Sequence, residues 1–227
     1  MKYPCAHHAV KLLSTAIIII LIASLISFIE TLLVYQGAKD HIMPETLIVT
    51  INIVLLILSI IVIIIELYAY FIGSKDQSNF KKAFILYIFR AIVVIVNYFI
   101  VKPEISIFFT IASAILDIVI VATMLNAVIA LADIEMKDKG KQLKGFIIVF
   151  SAILIIIQLF VFKVSSSSTL KEMLIIAIIA AIISLIINLL ELNYLQNARD
   201  MLYNMKKVEV ENEFDNNYWN KWYIMIK

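Results

Sequence analysis

The chain has 227 residues, 63% of them hydrophobic and 16% charged, with a formal net charge of +2 and a mean hydropathy of +1.01. A soluble domain is about half apolar and about a quarter charged, so this composition excludes an ordinary soluble protein and makes the bilayer the expected solvent. The basic residues form short clusters beside apolar segments rather than a continuous face, which excludes a nucleic-acid surface, and the single cysteine, Cys5, excludes an intramolecular disulfide.

The opening, MKYPCAHHAVKLL, has the basic start of a signal peptide, but its apolar run continues to Val34. That is far past the ~7–15 residues of a signal-peptide core, so the sequence predicts an uncleaved first span. Six apolar segments follow one another: Leu12–Tyr35, Leu47–Ile72, Phe84–Val101, Ile105–Ala132, Phe146–Phe162 and Met173–Tyr194. Each is near or above the ~17–25 residues that cross a hydrocarbon core as a helix. An open sheet would leave backbone groups unpaired in lipid, and no alternating barrel pattern occurs. The expected fold is therefore an all-α integral membrane protein. Residues 1–197 form a six-transmembrane-helix bundle, and residues 198–227 a cytoplasmic juxtamembrane tail with an aromatic C-terminus.

Orientation follows from the basic residues. With the N-terminus inside, fourteen Lys and Arg fall on the inner side, and four (Lys39, Lys102, Lys163 and Lys171) on the outer. The positive-inside bias then places both termini in the cytoplasm of a cell in whose inner or plasma membrane the chain sits. A weak repeat of three two-helix hairpins is also visible. Glu66, Asn126 and Glu191 lie near the inner ends of the even spans, each followed fifteen residues later by a lysine: Lys81, Lys141 and Lys206. Any in-out hairpin that ends in a polar residue and then a basic one would give the same pattern.

Within the spans, residues three, four and seven apart share one face of a helix. Span one gives Ala16, Ala23, Ser27 and Glu30; span two Asn52, Ser59 and Glu66; span three Tyr87, Arg90 and Asn97. Span four gives Thr110, Ser113 and Asp117, span five Ser151 and Gln158, and span six Ala177, Ala181, Ser184, Asn188 and Glu191. Small and polar residues let helices approach and hydrogen-bond in lipid, so these stripes are expected to face other helices. Span four carries a second small-and-polar face, with Asn126 about 180° from Asp117, and is expected to be the central helix.

Asp117 needs an answer, because a carboxylate mid-span costs ~2.5–3.5 kcal/mol on insertion scales. At ~1.5 Å per residue it lies ~12 Å from the inner boundary and Arg90 ~9 Å, so the two can pair. Such a pair either fixes helix register or touches an anionic solute, a lipid head group or a coupling proton. Glu66 and Glu191, nearer the inner boundary, are expected either to reach water or to form a vestibule with Asn126 and Asn193.

No glycine or proline falls inside an apolar segment, whereas many secondary transporters build their site from broken helices marked by such residues. There is no Walker-type phosphate loop, no H-E-x-x-H and no G-x-S-x-G. Cys5, His7 and His8 are too few to make a metal site, and no cofactor is implied. The tail continues span six to about Lys207, turns acidic and flexible through VEVENEFDNN, and ends in YWNKWYIMIK, whose Tyr and Trp suit the membrane interface. The partners expected are the lipid bilayer and other membrane subunits or a second copy. The role expected is that of a non-catalytic accessory, immunity-type or assembly subunit acting through its intramembrane faces. The alternative is a small-solute or ion transporter using Arg90 and Asp117. The candidate residues are Arg90, Asp117, Glu66, Asn97, Asn126, Asn188 and Glu191.

Overall fold

The computed structural model describes residues 3–40, 45–99, 103–164 and 170–225. Six helices account for nearly all of them: α1 (Pro4–Asp40), α2 (Glu45–Gly73), α3 (Ser78–Tyr98), α4 (Pro103–Leu131), α5 (Ile134–Val164) and α6 (Leu170–Met225). Five of these, α1, α2, α4, α5 and α6, are long and apolar enough to cross a membrane. The remaining helix, α3, is 21 residues long and carries Lys81, Lys82 and Arg90. Three cations in a helix barely as long as a bilayer is thick set it apart from the others.

The helices overrun the apolar segments. A span ends where hydropathy falls, but a helix ends only where the chain breaks its hydrogen-bond ladder. Pro4 and Pro103 stand at the first positions of α1 and α4, where a missing N–H costs nothing. Asp133 starts α5: its Oδ1 accepts from the Met136 N–H at 2.9 Å, as an N-cap carboxylate does. The lysines 137, 139, 141 and 144 thus sit on the first turns of α5 rather than in a loop. Gly37, Gly140 and Gly145 likewise lie within helices. At the other extreme, α6 runs 56 residues to Met225. The acidic stretch 208–217, expected to be flexible, is part of that helix, and α6 contains no Gly or Pro to stop it.

Each helix packs on its neighbours in the chain, and α1 closes the circle by packing on α6. The result is a ring of helices alternating in direction. Here α4 is not central as its two polar faces suggested. It stands in the ring between α3 and α5, and each polar face meets one of those two neighbours.

The two ends of the ring differ. One end holds the start of α1, the α2–α3 turn and the α4–α5 turn, and here the core is tight. Ala6, Ala9, Val10 and Leu13 of α1 pack with Phe80 and Ala83 of α3, Met124, Leu125 and Val128 of α4, and Leu195 and Ala198 of α6. Asp76 in the α2–α3 turn fastens this end, its Oδ2 accepting from the Ala6 N–H at 2.8 Å, where the α1 dipole favours an anion. Gln77 caps α3, its side chain accepting from Asn79 N. Gly73 lets Phe80 pack against the turn, since a Cβ there would stand 2.7 Å from the Phe80 ring. Toward the other end the helices separate. The outward sides of α2, α3 and α5 carry Ile, Leu, Val and Phe, as a lipid-facing surface requires.

Gly140 offers a direct test of the tight end. A Cβ at this position would collide with Tyr194 Oη and stand 2.6 Å from Ile129 Cγ1, whereas a Cβ at Gly145 meets nothing within 4 Å. In a helix, Gly→Ala normally stabilises by about 0.8–1 kcal/mol. Gly145→Ala is therefore expected to raise the thermal unfolding midpoint of the purified protein. Gly140→Ala, with an overpacking cost of about 1–3 kcal/mol, is expected to lower it.

Candidate functional site

Where the helices separate they line an open-sided cavity of about 980 Å³, formed by α1, α2, α3, α5 and α6. Its wall draws on the small and polar stripes: Ala23 and Ser27 of α1, Ser59 of α2, Tyr87 and Arg90 of α3, Gln158 of α5, and Ala177, Ala181 and Ser184 of α6. The physical cause is steric. Small side chains on facing helices leave room between the backbones, and many of the large aliphatic side chains are turned outward. Between the stripes, Leu25, Phe28, Leu55, Leu58 and Leu185 make most of the wall apolar. Two wall hydroxyls donate back to their own helix, Ser24 to Ile20 O and Ser59 to Leu55 O, each at 2.8 Å.

Arg90 is the one charged side chain on this wall among the described residues. Its Nε pairs with Asp117 Oδ1 of α4, joining the two charges that the sequence set at one level. The guanidinium also lies over the Tyr87 ring, 5.8 Å from its centroid, a cation–π distance. Tyr87 in turn packs on Tyr70 of α2, with ring centroids 5.8 Å apart and tilted by 53°. Arg90 and Tyr87 thus form the deep end of the cavity, against the tight half of the bundle.

Beneath that floor lie two more carboxyls. Glu66, half-buried on α2, is close enough for its charge to act on Tyr87, Arg90 and Asp117. Glu191 of α6 is 7% exposed and faces Glu66. Neither of the two surroundings expected for Glu191 is found. It is neither interfacial nor in a vestibule, because α6 and α1 carry the packed core past it through Tyr194, Leu195, Ala198 and Leu202. Tyr70 belongs to the same cluster and was not singled out from sequence. It lies four residues after Glu66, so the helical period alone would have brought the two together.

The other candidates fall elsewhere. Asn126 is exposed and accepts from Lys144 Nζ at 3.0 Å. It therefore shares no site with Glu66 or Glu191, since the α4–α5 turn carries it to the lysine-bearing start of α5. Asn193 is exposed as well. Asn97 donates through Nδ2 to Thr110 Oγ1 of α4 at 3.3 Å, while its Oδ1 is buried without a hydrogen bond. It staples α3 to α4 nearer their connecting end. Asn188 is half-buried on α6, between Ser184 on the cavity wall and Glu191. Among the described residues no three His, Cys, Asp or Glu gather as metal ligands. The clustered aromatics at Tyr218 to Tyr223 lie on the last turns of α6.

Comparison of the chain with protein-family models, with curated proteins and with solved structures finds no match. The arrangement of side chains is therefore the sole ground for a functional reading.

The Arg90–Asp117 pair carries its own test. Asp117→Asn leaves the arginine without its anion in a low-dielectric setting, where breaking one partner costs about 3–5 kcal/mol. The folded yield recovered from membranes is expected to fall. The double change Arg90→Gln with Asp117→Asn removes both charges and is expected to restore it. Equal yields for single and double variants would mean that the pair does not hold α3 to α4.

Proposed function

We propose that this chain is a non-enzymatic, six-span protein of the cell membrane that binds a small solute inside its helix ring, a carrier-type role with Arg90 and Asp117 at its site. In this reading α3 spans despite its cations, with Lys81 and Lys82 at the inner boundary and Arg90 compensated by Asp117. Both termini lie in the cytoplasm, as the excess of basic residues on that side requires. The tight end of the ring then faces inward and the cavity faces outward.

One observation supports the carrier over the accessory subunit. Residues from the polar stripes of α1, α2, α3, α5 and α6, Ser59, Arg90 and Ser184 among them, line one common cavity of about 980 Å³. That volume lies at the top of the range of about 300–1,000 Å³ typical of small-molecule sites. The apolar wall with few polar groups is also what such sites share. The helices are continuous, so movement of the solute would come from rocking of whole helices rather than from half-helices at a broken site.

Accessibility to an impermeant thiol reagent tests the location and orientation together. In a Cys5→Ser background, Ser59→Cys on the cavity wall is expected to react in intact cells. Ala198→Cys, in the tight core, is expected to stay unlabelled until the protein is denatured. Adding Ala181→Phe to fill the cavity is expected to slow the Ser59→Cys reaction. Labelling of Ser59→Cys only in inverted vesicles would overturn the orientation, and no protection by Ala181→Phe would overturn the cavity as the route.

A further inference from the structure

The chemistry of the cavity wall narrows what it holds, and this step rests on the solute-binding reading above. A volume of about 980 Å³ suits an organic molecule rather than a bare ion, which proteins hold in a close ring of ligands. Most of the wall is aliphatic, so the body of that molecule is apolar. Its polar part has few places to go. The Ser24 and Ser59 hydroxyl protons are committed to their own helix backbones, which leaves those oxygens only as acceptors. Ser27, Gln158 and Ser184 offer neutral donors, and Arg90, at the deep end, is the charged one.

Arg90 is also only partly used. Its pairing with Asp117 runs through Nε, and the guanidinium side chain is 28% exposed. A guanidinium fork of this kind matches the two oxygens of a carboxylate or phosphate. The carboxyls nearby, Glu66 and Glu191, are not on the cavity wall; they lie beneath Tyr87 and Arg90. A ligand entering the cavity therefore meets Arg90, already paired with Asp117, before it could reach Glu66 or Glu191.

We infer that the cavity takes a small amphipathic monoanion, with its apolar body against the aliphatic wall and its carboxylate or phosphate on the Nη groups of Arg90. Asp117 competes for the same guanidinium and tunes the affinity downward. The anionic group belongs either to a free organic acid or to a lipid head group, which share this chemistry.

The test uses the full chain in phosphatidylcholine nanodiscs and three probes: decanoate, decanol and acetate. Binding is read by equilibrium dialysis of labelled probe, corrected with protein-free nanodiscs. Decanoate is expected to bind roughly ten- to a hundredfold more tightly than decanol or acetate, the value of a charge-assisted hydrogen bond. The uncharged double variant Arg90→Gln with Asp117→Asn avoids an unpaired charge. It is expected to lose that preference and keep decanol binding. Asp117→Asn alone, in whatever fraction folds, is expected to tighten decanoate. Ala181→Phe is expected to abolish binding of both ten-carbon probes.

If decanol matches decanoate and both are lost in Ala181→Phe, the cavity stands and the anionic class is overturned. If wild type and Ala181→Phe bind every probe equally, the solute-binding reading itself fails. Replacing part of the phosphatidylcholine with phosphatidylglycerol identifies the source of the anion. Competition with decanoate supports the inference with a lipid head group as occupant, and unchanged decanoate binding supports it with a free organic acid.

Discussion

A charge in hydrocarbon must be answered by another charge, and in this chain that requirement fixes the relation between α3 and α4. Arg90 and Asp117 are the charged side chains in the middle of their helices, and they meet. Their pairing sets the register of the hairpin, which Asn97 and Thr110 then continue toward the connecting end. It also permits α3, which is not among the five helices long and apolar enough to cross a membrane, to stand in the ring at all. With α3 in place, Tyr87 is turned onto Tyr70 of α2, and the guanidinium becomes the floor of the cavity.

The second organising feature is the contrast between the two ends. At the tight end, alanines on α1 and α6 and the two close approaches at Gly73 and Gly140 bring the helices into contact. Asp76 then ties the first turn of α1 to the α2–α3 turn. At the other end the same kinds of small residue, Ala177 and Ala181 among them, face across an open space. Small side chains permit closeness without compelling it. What separates the two cases is whether large side chains such as Phe80, Met124 and Leu125 fill the gap, as they do only at the tight end.

Glu191 shows where a linear reading fails. In sequence it stands at the edge of an apolar segment, beside Asn193 and Asn197, and reads as interfacial. In the structure it is buried, because α1 and α6 keep packing beyond the point where hydropathy falls. Asn126 shows the opposite failure: its partner Lys144 is eighteen residues on, across a turn whose geometry depends on Asp133 capping α5. Neither a window average nor a helical period contains that information.

The helical fold class, most helix positions and the Arg90–Asp117 pair were legible in the sequence, for one physical reason. Lipid imposes local rules: apolar length, internally satisfied backbone, and compensation of charge at equal depth. Each can be evaluated along the chain. The stripes were legible too, as faces that avoid lipid. That α1, α2, α3, α5 and α6 turn those faces toward a common space, while α4 gives its own to α3 and α5, was decided by the closing of α1 onto α6. That closure joins the two ends of the sequence. It depends on the summed packing of all six helices, and so it exists only in the tertiary structure.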